Sequence, residues 1–301
     1  MIGIVVIIKK ILNYKILSVK NLNIGLKVVN VLQINELNKI AFYLRKKIIE
    51  ISYQTKAHHI GSELSCIDIL VALYFSIMNI NVSDPQDKNR DFFILSKGHA
   101  ALALYVTLMK KGFFSEDYLK KEFLSDGGTL GGHPDMNNQL GIEISSGSLG
   151  HGLSVGAGIA LAKKKDRNKG KAFVLLGDGE CNEGMVWEAL LFASHHKLDN
   201  LMAIVDYNKL QGFGSTRDVL NLDPLKKKFE SFGWTTQEVN GHDIKSIINV
   251  SKELFKEKHK PNLLIANTIK GKGVNSMENR LESHYEVLDE EKYLDIIKNY
   301  K

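Results

Sequence analysis

From Asn35 onward the apolar positions fall on helical spacing: Leu37, Ile40, Ala41, Leu44, Ile48 and Ile51 recur every three or four residues. The pattern predicts a first long helix, capped by Asn35 and ending near Gln54. A second is expected at Ser65, where Ser65 and Asp68 form a capping-box pattern ahead of Ile67, Leu70, Val71, Tyr74 and Met78; it should stop before Asp84-Pro85. Beyond it the periodicity changes. Short continuous apolar runs, Phe92 to Leu95, Ala172 to Leu176, Leu201 to Val205 and Leu263 to Ala266, alternate with helical stretches. Asp223-Pro224 opens one such helix and Gly233 closes it. Apolar strands separated by helices predict a doubly wound α/β fold, a parallel sheet with helices on both faces. No repeat or low-complexity linker divides the chain, so one domain is expected over residues 35–301, behind a leader, 1–34, of unknown role.

Composition narrows the class. With 301 residues, 44% of them apolar, the chain can bury a sizeable core, and no run of apolar residues is long enough to span a membrane. Cys66 and Cys181 lie far apart, which leaves neither a disulfide scaffold nor a zinc ribbon and favours a reducing, cytoplasmic setting. The net charge of +6 is concentrated in the leader, where Lys9, Lys10, Lys15, Lys20 and Lys27 occur without an acid. The body is close to neutral and only five basic residues are Arg, so no nucleic-acid partner is expected. In the leader the apolar run Ile2 to Ile8 precedes the lysines, the reverse of a secretory signal. A start codon placed too far upstream is the preferred explanation, with a transit peptide as the alternative.

In doubly wound sheets ligands bind at the carboxyl ends of strands. After Ala172 to Leu176 the chain reads Gly177-Asp178-Gly179-Glu180-Cys181-Asn182-Glu183-Gly184. A dinucleotide loop would need glycine at Asn182, and a Walker loop would need Lys and Ser or Thr where Met185 and Val186 stand. What remains is a glycine-flanked aspartate where a phosphate would meet backbone amides. A carboxylate there repels a diphosphate unless a cation, magnesium or calcium, lies between them. The neighbouring strand ends in Asp206-Tyr207-Asn208-Lys209-Leu210, from which Asn208 can supply a second oxygen. An ordinary strand-to-helix turn capped by Asp178 fits the same segment.

Gly177-Asp178-Gly179 followed by Asn208 resembles the thiamine diphosphate and magnesium motif, and the surroundings resemble transketolase from about Leu37 to about His284. The resemblance implies a metal held by Asp178, Asn208 and the main chain of Leu210, with Gly177 and Gly179 beside the cofactor. Ala57-His58-His59-Ile60-Gly61 resembles a segment whose histidine contacts substrate, which implies His59, with Ile60 in place of the usual proline. Leu95-Ser96-Lys97-Gly98-His99 implies that His99 lies by the diphosphate and the reacting carbon, and Gly131-Gly132-His133-Pro134 that His133 binds the donor's hydroxyl end. His284 matches a late substrate histidine, although Tyr285 stands where glycine is usual. Ser146 to Gly152 resembles the loop under the cofactor rings, implying contacts from Gly147 and Leu149, with His151 where glutamine is usual. Glu183 matches a glutamate coupling the two active sites of a dimer. His58, His195, His196, His242 and His259 are expected to be structural, Gly152, Gly156 and Gly158 to serve close packing, and Lys163 to Lys165 to form a solvated helix end.

The family takes the glutamate that activates the pyrimidine ring from a second domain, and none follows here. The resemblance therefore implies the N-terminal subunit of a split transketolase, moving a two-carbon ketol unit from a ketose phosphate to an aldose phosphate through a thiamine diphosphate ylide. An obligate C-terminal partner is expected, together with self-association through the diphosphate domain into a heterotetramer and a role in the pentose phosphate pathway. The histidines are expected to shuttle protons, with neutral and protonated forms both reachable near neutral pH. Half of a 1-deoxyxylulose-5-phosphate synthase or of a 2-oxoacid dehydrogenase component is the alternative.

Overall fold

The computed structural model describes residues 22–300. Helix α1 spans Leu22–Thr55, followed by the short α2 (Ile60–Ser65) and α3 (Ile67–Ala72), which runs on as one π-type turn, Leu73–Ile77. Strand β1 (Phe92–Leu95) leads to α4 (Ala101–Lys111), α5 (Glu116–Glu122) and α6 (His151–Lys165). Then come β2 (Ala172–Gly177), α7 (Gly184–His195), β3 (Leu201–Tyr207), α8 (Thr216–Leu220), α9 (Leu225–Ser231), β4 (Thr235–Asn240), α10 (Ile244–Leu254), β5 (Asn262–Asn267) and α11 (Glu290–Asn299).

The five strands form one sheet in the order β1-β2-β3-β5-β4, and every pairing is parallel. Alternate strand residues serve opposite faces. Phe93, Leu95, Phe173, Leu175, Met202, Ile204 and Leu264 join a core with α1, α4 and α10, whereas Ile94, Val174, Leu176, Ala203, Val205 and Ile265 join a second core with α6, α7 and α9. Both faces are thus covered, as the continuous apolar strands require, and each buried Leu, Ile or Val contributes roughly 1.5–3 kcal/mol of transfer free energy. Helix α6 can lie this close to the sheet because a Cβ on Gly156 would come within 2.4 Å of Val174 and one on Gly152 within 2.5 Å of the Ser96 Cβ. Gly158, expected to pack similarly, has no described neighbour within 4 Å of such a Cβ.

Three local expectations need correction, and one strand is added. Asn35 does not cap α1, which begins at Leu22, inside the leader; residues 22–34 lack proline, and asparagine costs little within a helix. Ile2 to Ile8 and the lysines up to Lys20 lie outside the described residues. Ser65 and Asp68 form no capping box: Ser65 Oγ donates to Ser62 O and to Asp206, and Asp68 pairs with Arg45 and His242. Lys163 is buried, its ammonium donating to the carbonyls of Lys88 and Arg90. Strand β4 was not apparent in the pattern because it buries only Thr236 and Val239, whereas β1, at the opposite edge of the sheet, buries three of its four residues. Among the described residues no helix is long and apolar enough to cross a membrane.

Candidate active site

The register sets Gly177 beside Asp206 and Asp206 beside Ala266, so the residues that follow β2, β3 and β5 converge at one end of the sheet. There a cleft of about 370 Å³ is lined by Asp178, Asn208, Leu210, Gly177, Gly179, Leu149, His99 and His284. Asp178 is buried; Gly179 N donates to one carboxylate oxygen at 2.7 Å and Lys209 N to the other at 2.6 Å. Burial, with Asp206 nearby, raises its pKa to about 7 against the pull of those two amides. Asn208 Oδ1 accepts from Leu210 N at 3.1 Å, which folds the Asn208–Leu210 turn over Asp178.

The cleft offers a hard divalent cation oxygen donors of three kinds: a carboxylate, a carboxamide and a main-chain carbonyl. Too few to complete a coordination shell, they suit a metal shared with a bound anion. Two buried polar atoms that line this cleft, Asn182 Oδ1 and Gln211 Nε2, have no hydrogen-bond partner among the described residues. Unpaired buried groups of this kind carry a cost that a polar ligand would remove. The residues therefore fit a magnesium ion with a diphosphate.

Beside this end, the loops after β1, α5 and β5 and the turn before α2 bring four imidazoles together. The His59 ring lies 5.5 Å from His99, 6.1 Å from His133 and 5.1 Å from His284, and His99 lies 5.3 Å from His284. His59 adopts a left-handed φ of 73°, held by its own amide donating to His284 O at 3.0 Å. Gly147 packs on His133, where a Cβ would approach the ring to 3.1 Å, and a Cβ on Gly98 would strike Gly147 N at 2.8 Å. Only glycines let these two loops meet. Glu183 is exposed at the rim, against Gly150, and His151 is exposed with Nδ1 near Ser148 O and Leu149 O.

The expectation of readily protonated histidines changes for three of the four. Burial, then neighbouring positive charge, lowers the pKa of His59 to about 4 and that of His284 to about 3, and burial drives His99 well below its usual value. These are neutral imidazoles at physiological pH. Lys270 Nζ lies 2.9 Å from His284 Nδ1 and donates to Leu210 O at 3.2 Å; an ammonium there makes Nδ1 the acceptor and turns Nε2–H outward.

Several residues of the site escaped the sequence reading. Lys270 is fully buried, its pKa lowered to about 8 by burial and by Lys97. Lys97 donates to Asp206 at 2.5 Å and to Ser62 O at 3.0 Å. Asp206 also accepts from Ser65 and Thr268. Glu180 gathers three segments: Ser96 Oγ and Gly150 N, at 2.9 Å, donate to one oxygen and Gly177 N donates to the other at 3.0 Å. The signal available was position, because Lys97 and Glu180 stand inside the motifs around His99 and Asp178. His242 is structural, as expected: its ring bonds Asp68 at 2.7 Å and accepts from Ile269 N at 2.8 Å.

A parallel sheet with an oxygen-lined cleft at its strand ends, next to four clustered imidazoles, is the arrangement of a thiamine diphosphate-binding domain. Residues 37–300 match the family described as transketolase, thiamine diphosphate binding domain. The chain is 44% identical over 256 residues, 84% of its length and 90% of the relative's, to one subunit of the apulose-4-phosphate transketolase of Phocaeicola vulgatus. It is 39% identical to the 6-deoxy-6-sulfo-D-fructose transketolase subunit SqwG of Clostridium sp., over 85% of this chain and 93% of that one. The transketolase structure from Campylobacter jejuni superposes with a TM-score of 0.80 at 30% identity, covering 89% of this chain and 42% of that one. The chain belongs to the transketolase family. It corresponds to the N-terminal, thiamine diphosphate-binding part, spanning about two fifths of the solved transketolases and nearly all of the separate transketolase subunits it matches.

Proposed function

We propose that the chain is the N-terminal subunit of a two-chain transketolase, working with a C-terminal subunit that supplies the pyrimidine-binding half. The observation that carries this is the meeting of Asp178, Asn208 and Leu210 in a single cleft with His99 and His284. Asp178, Asn208 and the Leu210 carbonyl hold magnesium, while Gly177, Gly179, Gly147 and Leu149 flank the cofactor. Thiamine diphosphate supplies a nucleophilic carbon that accepts the two-carbon ketol unit and releases it to an aldose. The protein's share is orientation and proton handling. Lys270 fixes the His284 tautomer, so the His284 Nε2–H can donate to a sugar oxygen, while the neutral rings of His59 and His99 can each donate to one sugar oxygen and accept a proton from another. His133 closes the cluster on the Gly147 side.

The relatives are named for apulose 4-phosphate and for a sulfonated fructose. A ketose with an anionic end is the substrate class common to both names, and a ketose phosphate is the form proposed here. These names favour transketolase over the synthase and dehydrogenase alternatives. Exposed Phe213 and Val219 at the cleft mouth suit a covering partner domain, and exposed Val155, Leu191 and Phe192 on α6 and α7 suit self-association towards a heterotetramer, with Glu183 at the start of α7 coupling the two sites. A cytoplasmic location agrees with two buried, unpaired cysteines.

Calorimetric titration of the two-chain enzyme with thiamine diphosphate and magnesium tests the cleft. Asp178→Ala and Asn208→Ala are expected to weaken binding by roughly 10-fold or more, about 1.4 kcal/mol. Unchanged binding in both variants would place the metal elsewhere.

A further inference from the structure

Tyr285 stands where two hollows meet. It lines the cleft of Asp178 and His99, and it also lines a second cavity of about 710 Å³ that contains Ser276, Arg280 and Lys292. Gly212 borders both as well, and a Cβ placed on it would lie 3.0 Å from Tyr285 Oη. The phenol therefore reaches across to the Gly212 backbone and forms the wall between the two spaces.

The ring also ends the row of imidazoles. It lies 4.6 Å from His284 and 5.8 Å from His59, on which His133 and His99 converge from other directions. Its backbone is clamped, because His58 Nδ1 bonds Tyr285 O at 3.0 Å and His59 N donates to His284 O at 3.0 Å. The side chain is not: it is 54% exposed and its hydroxyl makes no hydrogen bond with the described residues. Behind it, Lys292 is neutralised by Glu286 at 2.7 Å, whereas the Arg280 guanidinium has no ion pair or hydrogen bond among the described residues. The half-buried His99 marks the inner end of the cleft and the exposed Tyr285 the outer end.

We infer that Tyr285 sets the length of sugar the site accepts, its ring stopping the far end of the ketose and closing the way into the Arg280 cavity. The inference rests on the ketol-transfer reading above. Removing the ring joins the two spaces, gives a longer chain room, and brings its terminal anion to the Arg280 guanidinium. A steric wall of this kind discriminates by roughly 10- to 200-fold for each group excluded.

The experiment compares xylulose 5-phosphate with sedoheptulose 7-phosphate as donors for the two-chain enzyme, wild type against Tyr285→Gly and Tyr285→Phe. The ratio of kcat/KM for the seven-carbon to the five-carbon donor is expected to rise at least 10-fold in Tyr285→Gly, through KM, and to stay within about 2-fold in Tyr285→Phe. Adding Arg280→Ala to Tyr285→Gly should abolish the gain. Thiamine diphosphate affinity is expected to be unchanged in all variants, and its loss would mean that Tyr285 holds the cofactor instead. Equal loss for both donors, or an unmoved ratio, overturns the length gate alone. A wild-type enzyme that transfers from no ketose phosphate overturns the reading beneath it.

Discussion

Glu180→Gln tests whether a single buried carboxylate assembles the cofactor cleft. Its two oxygens accept from Ser96 Oγ, Gly150 N and Gly177 N, and every one of these partners is a donor. Ser96 Oγ also accepts from Gly152 N at 3.1 Å, so the tie extends into the first turn of α6. A glutamine has the same shape, but its NH₂ group must face either the Gly177 or the Gly150 amide; beside Gly150 the Ser96 oxygen can accept from it, yet in either orientation one backbone N–H is left opposed to a donor. The substitution removes one hydrogen bond to a charged group, worth about 1.5–3 kcal/mol, and leaves buried donors opposed. Against this stands relief of burying a charge, the cause that raises the Glu180 pKa. A net loss of about 2 kcal/mol should lower the thermal midpoint by roughly 3–4 °C for a domain of this size. Because the amides released flank Gly147–Leu149 and Asp178, thiamine diphosphate affinity should fall by about 10-fold or more. Circular dichroism of the full chain at pH 7.5 reads the first effect, and titration of the two-chain enzyme the second. A midpoint within about 1 °C of wild type together with unchanged affinity would refute the reasoning, as would a rise in the midpoint, which would mean that the desolvation cost outweighs the three bonds.

Two further outcomes separate functional from structural burial. His133→Ala and His59→Ala should keep cofactor affinity near wild type while lowering kcat/KM for the donor ketose, read by steady-state kinetics alongside calorimetry; loss of cofactor binding with intact donor kinetics would reverse the roles. Glu63 lies fully buried in α2 with one oxygen unpartnered, and burial raises its pKa to about 8 from an ordinary value near 4.5. The folded chain holds this proton where the unfolded chain has lost it, so the contribution of Glu63 to stability declines between about pH 4.5 and 8 and is flat beyond. Glu63→Gln, which cannot ionise, should therefore gain in thermal midpoint over wild type as pH rises through that window, and a gap constant from pH 5 to 9 would contradict the assignment.

The fold was legible where burial is two-sided. The runs at Phe92, Ala172, Leu201 and Leu263 are apolar at nearly every position because helices cover both of their faces, at the β1 edge as in the three inner strands, whereas Thr235–Asn240, at the other edge, spends most of its positions on solvent. The start of α1 was misplaced because asparagine serves both as a cap and, at small cost, as an interior helical residue. In the site, Asp178 and Asn208 could be paired from sequence because adjacent parallel strands bring their ends together. Lys97, Asp206, Glu180 and Lys270 could not, since each is explained by a partner on another element: Lys97 and Asp206 are 109 residues apart, and Ser96 and Glu180 are 84 apart. Buried charges are legible only once the topology supplies their counter-charges.

The most direct test of the central claim is ketol transfer from xylulose 5-phosphate to ribose 5-phosphate, measured with the purified chain, with its C-terminal partner and with the two combined, each with thiamine diphosphate and magnesium. No turnover is expected from either chain alone, and activity on mixing should disappear when the cofactor or the metal is withdrawn. Turnover by this chain by itself, or mixing that yields a complex without transfer, would contradict the two-chain reading.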